Sequence, residues 1–126
     1  MKTLYSLAIV AALAAGPLHA ACTYPKAPEK IPDGSTADLA QMRAAQAEVK
    51  RFNEEITAYQ TCLKSEHDAA LAANPDLTEE QKKEREQIYA SKNDAAYEAV
   101  SGVAAQWNEQ RAAYLKKQEE AKKAAQ

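Results

Sequence analysis

The chain has little material from which to build a large hydrophobic core. Aromatic residues make up only 6% of its 126 residues, and phenylalanine and tryptophan occur once each. Alanine supplies much of the other apolar content, and it favours helices while burying little surface. The composition therefore predicts a helical protein with a thin core.

Glycine is also scarce, with three residues, and none lies in a segment that could wrap a phosphate group. The formal net charge of −2 is too small to indicate a nucleic acid as the partner. The absence of Gly-x-Ser-x-Gly and Cys-x-x-Cys-His motifs excludes a nucleophile elbow and covalent haem attachment. We therefore predict a protein that is not an enzyme, binds no nucleic acid and uses no cofactor.

Histidine is rare as well, and His67 is the only one after residue 21. Glu66 and Asp68 flank it, but neighbouring side chains of a helix point about 100° apart and cannot meet at one ion. We predict no metal site here, and we expect His67 to be a solvated residue near the end of a helix.

The only long apolar run, residues 4–15, follows a lysine and precedes a glycine, a proline and small residues. This is the layout of a secretory signal peptide, and the run is too short to span a membrane. We predict a signal peptide at residues 1–21 and a single exported domain at residues 22–126, which is periplasmic or secreted and has no transmembrane segment. Cleavage after Ala20 and cleavage after Ala21 both stay open.

Cysteine occurs twice, at Cys22 and Cys62, so an exported domain can join the two residues in only one way. We predict a Cys22–Cys62 disulfide, which would reinforce the thin core. A lipid anchor on Cys22 is the alternative. The sequence favours it less, because His19 stands where a bacterial lipobox has leucine.

Prolines are concentrated in residues 22–35, at Pro25, Pro28 and Pro32. Proline removes backbone donors and favours the polyproline II conformation, so this segment is predicted to be an extended arm. At about 3.1 Å per residue the arm would span roughly 40 Å. A helix from residue 35 to residue 62, at about 1.5 Å per residue, would span the same distance. We therefore expect the arm to lie along the first helix, with the disulfide at its far end.

Residues 36–73 are predicted to form that first helix. Ser35 and Asp38 have the spacing of a capping box, and Asn74-Pro75 ends the helix. Its apolar residues repeat at heptad spacing, as in a coiled coil. These residues are Met42, Ala45, Val49, Phe52, Ile56, Tyr59 and Leu63.

Residues 78–124 are predicted to form the second helix, with Thr78 and Gln81 as its capping box. Gly102 could kink or break this helix, but the apolar stripe keeps its phase across Gly102, which favours a continuous helix. Two long helices joined by a short turn must run antiparallel. The predicted fold is therefore all-α: a long, coiled-coil-like antiparallel hairpin, with the proline-rich arm stapled to its first helix.

Apolar side chains that such a hairpin cannot bury suggest how the protein works. On the second helix they are chiefly Ile88, Tyr97 and Leu115. We predict the candidate interaction surface on the exposed side of this helix, around Tyr97, Trp107, Tyr114 and Leu115. Scattered exposed residues without a function are the alternative. We expect a protein partner or a homo-oligomer.

Two sequence patterns are similar to those of known exported proteins. Cys-x-Tyr-Pro from Cys22, Ile-Pro-Asp-Gly from Ile31 and Cys-Leu from Cys62 resemble a group of small, mostly uncharacterised exported helical proteins of Gram-negative bacteria. This resemblance implies export and a helical body, but no activity. Leu-Thr-x-x-Gln from Leu77 resembles a motif of Spy/CpxP-type periplasmic proteins and implies an alternative function as a chaperone or envelope-stress sensor. A lipid-anchored structural component of the envelope is a further alternative.

Overall fold

The computed structural model describes residues 21–126, and this part of the chain is all-helical. It contains α1, Leu39–Ala72, and α2, Glu79–Ala124, with no β-strand among the described residues. Neither helix is both long enough and apolar enough to cross a membrane. Apart from Ala21, the predicted signal peptide lies outside the described residues.

The predicted start of the first helix is wrong, because Asp38 caps α1 instead of Ser35. The Gln41 amide donates to Asp38 Oδ1 at 2.8 Å, and the Asp38 amide donates to Gln41 Oε1 at 2.9 Å. The Ser35 hydroxyl is already used, since it donates to Asp33 Oδ1 at 2.7 Å. This bond and a second one from the Ser35 amide lower the pKa of Asp33. Residues 34–36 therefore form a turn ahead of the helix.

The start of α2 agrees with the prediction. The Gln81 amide donates to Thr78 Oγ1 at 3.2 Å, and the Thr78 amide donates to Gln81 Oε1 at 2.9 Å. Glu79 and Glu80 lie in the first turn and Lys122 and Lys123 in the last, where each charge is favourable to the helix dipole. The helix is continuous through Gly102. The capping box and the apolar stripe were therefore sufficient signals for α2.

A small cluster of side chains between the helices forms the centre of the core. Phe52 and Ile56 of α1 are fully buried, together with Ala96 of α2. Four half-buried residues pack around them: Tyr59, Ala99, Val100 and Val103. The large buried side chains come from α1, and α2 contributes a small one. The core is consequently as thin as the composition predicts.

Polar contacts between elements tie together residues that are far apart in sequence. Gln60 Nε2 donates to Asn93 Oδ1 at 3.1 Å, linking the second half of α1 to the first half of α2. The Lys117 ammonium donates to the backbone carbonyl of Ala37, linking the end of α2 to the segment just before α1. Gln60 therefore lies beside the first half of α2, and Ala37 lies beside its last turns.

The Cys22–Cys62 disulfide is present, as predicted, with 5.8 Å between the two Cα atoms. Two further contacts join the same stretches of chain. The Cys22 amide donates to Glu66 Oε1 at 3.0 Å, and the rings of Tyr24 and Tyr59 meet edge to face with centroids 5.1 Å apart. Covalent, polar and aromatic contacts thus connect residues 22–24 to the second half of α1.

Gly34 is the point where the segment before α1 touches the backbone of α2. Its amide donates to Gln110 Oε1 at 3.0 Å. A Cβ atom at Gly34 would lie 1.8 Å from the Gln110 carbonyl oxygen, so no larger residue fits without a shift of the backbone. The requirement for glycine comes from this close approach, since the φ angle of Gly34 is not positive.

Replacing Gly34 with alanine should destabilise the protein, because the added Cβ overlaps the Gln110 carbonyl. We expect the free energy of unfolding to fall by about 1–3 kcal/mol, the usual range for overpacking. Urea unfolding followed by circular dichroism measures this change. Gly102→Ala is the matched control: its Cβ meets nothing within 4 Å, and alanine should stabilise α2 by about 0.5–1 kcal/mol. Equal stability of Gly34→Ala and the unsubstituted protein would contradict the close contact.

Reducing the disulfide should remove a large part of the stability. The two cysteines are 40 residues apart, and a loop of that size corresponds to about 4 kcal/mol in the chain-entropy model. Urea unfolding with and without a thiol reductant gives the difference. A Cys22→Ser/Cys62→Ser variant serves as control, since the reductant should not change its midpoint. An unchanged midpoint for the unsubstituted protein after verified reduction would show that the crosslink contributes nothing.

Candidate functional site

The four residues of the candidate interaction surface lie in two different environments. Tyr97 and Leu115 are exposed, at 65% and 51%. Trp107 and Tyr114 are half-buried and continue the seven-residue spacing of Val100, which packs against the core cluster. The structure therefore does not bring the four together into one exposed surface.

Trp107 and Tyr114 lie on the same side of α2 as Val100, which packs against the core cluster. The Tyr114 amide nitrogen would lie 2.8 Å from a Cβ at Gly34, and the Lys117 ammonium lies 5.2 Å from the centre of the Tyr114 ring. Both aromatic side chains are partly removed from solvent, so substitution of either would change more than an exposed surface.

A third large apolar residue of α2, Ile88, is also half exposed, at 52%. Successive helical residues are rotated by about 100°, so Ile88 and Tyr97 point to roughly opposite sides of α2. By the same geometry, Tyr97 and Leu115 point to the same side, about five turns apart. The exposed apolar side chains of α2 therefore form two separate features.

Ile88 lies at the edge of an open groove between the helices, near the turn that joins them. The groove has a volume of about 190 Å³. We call it the turn groove. It is lined by Leu63, Glu66, His67, Ala70, Arg85, Ile88, Tyr89 and Lys92.

His67 forms one wall of the turn groove, and the expectation that it is solvated is wrong. Only 11% of its side chain is exposed, because its ring stacks on Tyr89 with centroids 4.8 Å apart and 22° between the planes. His67 Nε2 also lies 2.9 Å from Glu86 Oε2. Its four-residue spacing from buried Leu63 is a signal that could have indicated burial.

Glu66 lines the groove beside the disulfide. Its carboxylate and the sulfur atoms of Cys22 and Cys62 lie within 4.8 Å of one another, the one such group of metal-ligand atom types among residues 21–126. The two sulfurs are bonded to each other and offer no thiolate to an ion. The carboxylate instead accepts the hydrogen bond of the Cys22 amide.

Most ion pairs among residues 21–126 join two side chains of the same helix, at the surface. A hydrogen bond to Asp68 raises the pKa of Lys64, and a hydrogen bond from Lys82 lowers the pKa of Glu79. Arg51 contacts Glu48 at 2.8 Å and Glu55 at 2.7 Å, and both partners raise its pKa. Exposed pairs of this kind contribute little to stability and do not create a site for chemistry.

Comparison of the chain with protein-family models, curated proteins and solved structures finds no match.

Replacing His67 with alanine should destabilise the protein by about 1–3 kcal/mol, because it removes an aromatic stack and a polar contact across the helices. Ser65→Ala is the matched control, since Ser65 is exposed on the same helix and should change stability by less than about 0.5 kcal/mol. Urea unfolding measures both. If the two variants were equally stable, the stack on Tyr89 would contribute nothing to the fold.

Proposed function

We propose that this is an exported protein without enzymatic activity, which acts by binding another protein or a second copy of itself. The observation that carries the proposal is the exposure of three large apolar side chains of α2: Ile88, Tyr97 and Leu115. The chain has few large apolar residues, and these three lie outside its small core. Apolar groups in that position are available to a partner.

We infer that the two helices form an antiparallel, coiled-coil-like hairpin. Its support is the order of the contacts: Gln60 meets Asn93, His67 meets Glu86, and the chain at Ala37 meets the end of α2. We also infer that residues 22–35 form an arm along α1. The disulfide, the Tyr24–Tyr59 contact and Gly34 support this arrangement. The hairpin exposes the outer sides of α2 over its whole length.

Export is supported by the disulfide, since such bonds persist in oxidising compartments. The apolar run within residues 4–15 supports it independently. The disulfide also uses the Cys22 sulfur that a lipid anchor would modify, which favours a periplasmic or secreted protein without an anchor. The intact mass of the exported protein distinguishes the two, because an anchor would add a lipid and leave Cys62 as a thiol.

The chaperone alternative has no structural observation of its own. Thr78 and Gln81, two residues of the Leu-Thr-x-x-Gln pattern, are both used in the capping box of α2. Suppression of the aggregation of a reduced model substrate tests this alternative, and no effect at stoichiometric amounts would eliminate it.

Protein binding is tested with a Tyr97→Ala/Leu115→Ala variant of the oxidised protein. We expect the affinity of this variant to fall at least about tenfold. Sedimentation velocity measures its self-association, and capture from an envelope extract measures its binding to a partner. Both residues are exposed, so the fold should be retained, as checked by circular dichroism. Trp107→Ala would be a poorer choice, because Trp107 is half-buried.

The matched control is Gln87→Ala/Ser91→Ala, which alters two exposed residues on a different side of α2. It should self-associate and capture partners as the unsubstituted protein does. A monomer that captures nothing at any concentration would contradict the proposal. Equal binding by both double variants would show that Tyr97 and Leu115 are not the surface.

A further inference from the structure

We propose that the turn groove binds an acidic polypeptide segment by taking up one large apolar side chain between α1 and α2. The inference rests on the proposed function of protein binding and names a contact site for it. The groove is separate from the side of α2 that carries Tyr97 and Leu115, so the two can be tested independently.

The shape of the groove suits a side chain better than a small molecule. Leu63 is buried at its base, and Ile88 and Tyr89 line it from α2. Ala70 lines it from α1 and is too short to fill the space. The volume of about 190 Å³ is smaller than the roughly 300–1,000 Å³ of typical small-molecule sites. A single inserted side chain matches this size.

The walls of the groove are held in place before anything binds. His67 is stacked on Tyr89 and lies against Glu86, while Glu66 accepts a hydrogen bond from the disulfide-bonded Cys22. Side chains that are already ordered lose little conformational entropy on binding. The groove is therefore preorganised for a partner.

The charges at the groove favour carboxylates. Its lining carries two cationic side chains, Arg85 and Lys92, and one carboxylate, Glu66, which accepts the hydrogen bond of the Cys22 amide. Arg85 and Lys92 line the same groove, and neither forms an ion pair within residues 21–126. They are two helical turns apart, roughly 10 Å, on one side of α2. A segment with an apolar residue between two acidic ones would complement them.

The test uses the oxidised protein and a short, alanine-based helical peptide. The peptide carries one central leucine between two glutamates about seven residues apart, to match the spacing of the cations. Binding is followed by NMR through the ring signals of His67 and the methyl signals of Ile88. We expect saturable shifts below about 1 mM, and about tenfold weaker binding when the glutamates are replaced by glutamines.

Two pairs of variants locate the site. Ile88→Ser should abolish binding, whereas Leu115→Ser removes an equally exposed apolar residue outside the groove and should leave binding unchanged. Arg85→Gln/Lys92→Gln should weaken binding about tenfold. Lys83→Gln/Lys122→Gln changes the net charge equally, away from the groove, and should have little effect. Circular dichroism confirms the fold of each variant.

Three results would overturn the inference. The first is the absence of a saturable shift, and the second is an equal loss of peptide affinity in a variant and its control. The third is binding of hexanoate, a small carboxylate with an apolar chain, as tightly as the peptide. Shifts of the His67 signals with protein concentration alone would also overturn it, by showing that a second copy occupies the groove. The proposed function fails separately. If Tyr97→Ala/Leu115→Ala loses its partner while Ile88→Ser keeps both partner and peptide affinity, only the groove assignment is wrong.

Discussion

Packing of Phe52 and Ile56 against Ala96 is the interaction on which the rest of the structure depends. Large side chains of α1 are fully buried because α2 places a small residue opposite them. Towards the interhelix turn this combination is not repeated, because Ala70 of α1 is short and does not fill the space beside the α2 residues that line the groove. The same rule of complementary sizes therefore explains both the closed middle of the molecule and the open groove beside the turn.

The segment before α1 supplements this small core by holding the molecule at distant points. The disulfide lowers the conformational entropy of the unfolded chain, and Gly34 contacts the backbone of α2 at Gln110. The segment also reaches the groove, because the Cys22 amide binds the Glu66 carboxylate that lines it. The Cys22–Cys62 disulfide therefore contributes to the stability of the fold and also to the position of Glu66 in the turn groove.

The two helices and the Thr78 cap have local causes and could be predicted from the sequence. The disulfide could be predicted because two cysteines allow only one pairing. The start of α1 could not, since Asp33 competes for the Ser35 hydroxyl and leaves Asp38 as the cap. The burial of His67 depends on Tyr89, in the other helix. The groove likewise depends on which residues of α2 meet Ala70, and sequence periodicity does not give that register.

The unequal lengths of the helices have a practical consequence. α2 has 46 residues and α1 has 34, and beyond Lys117, which reaches Ala37, every residue of α2 is exposed. This last stretch of helix lies outside the packed region. A fluorophore attached there would report on the orientation of α2, and an affinity tag would be accessible, while the core and the groove stay unchanged.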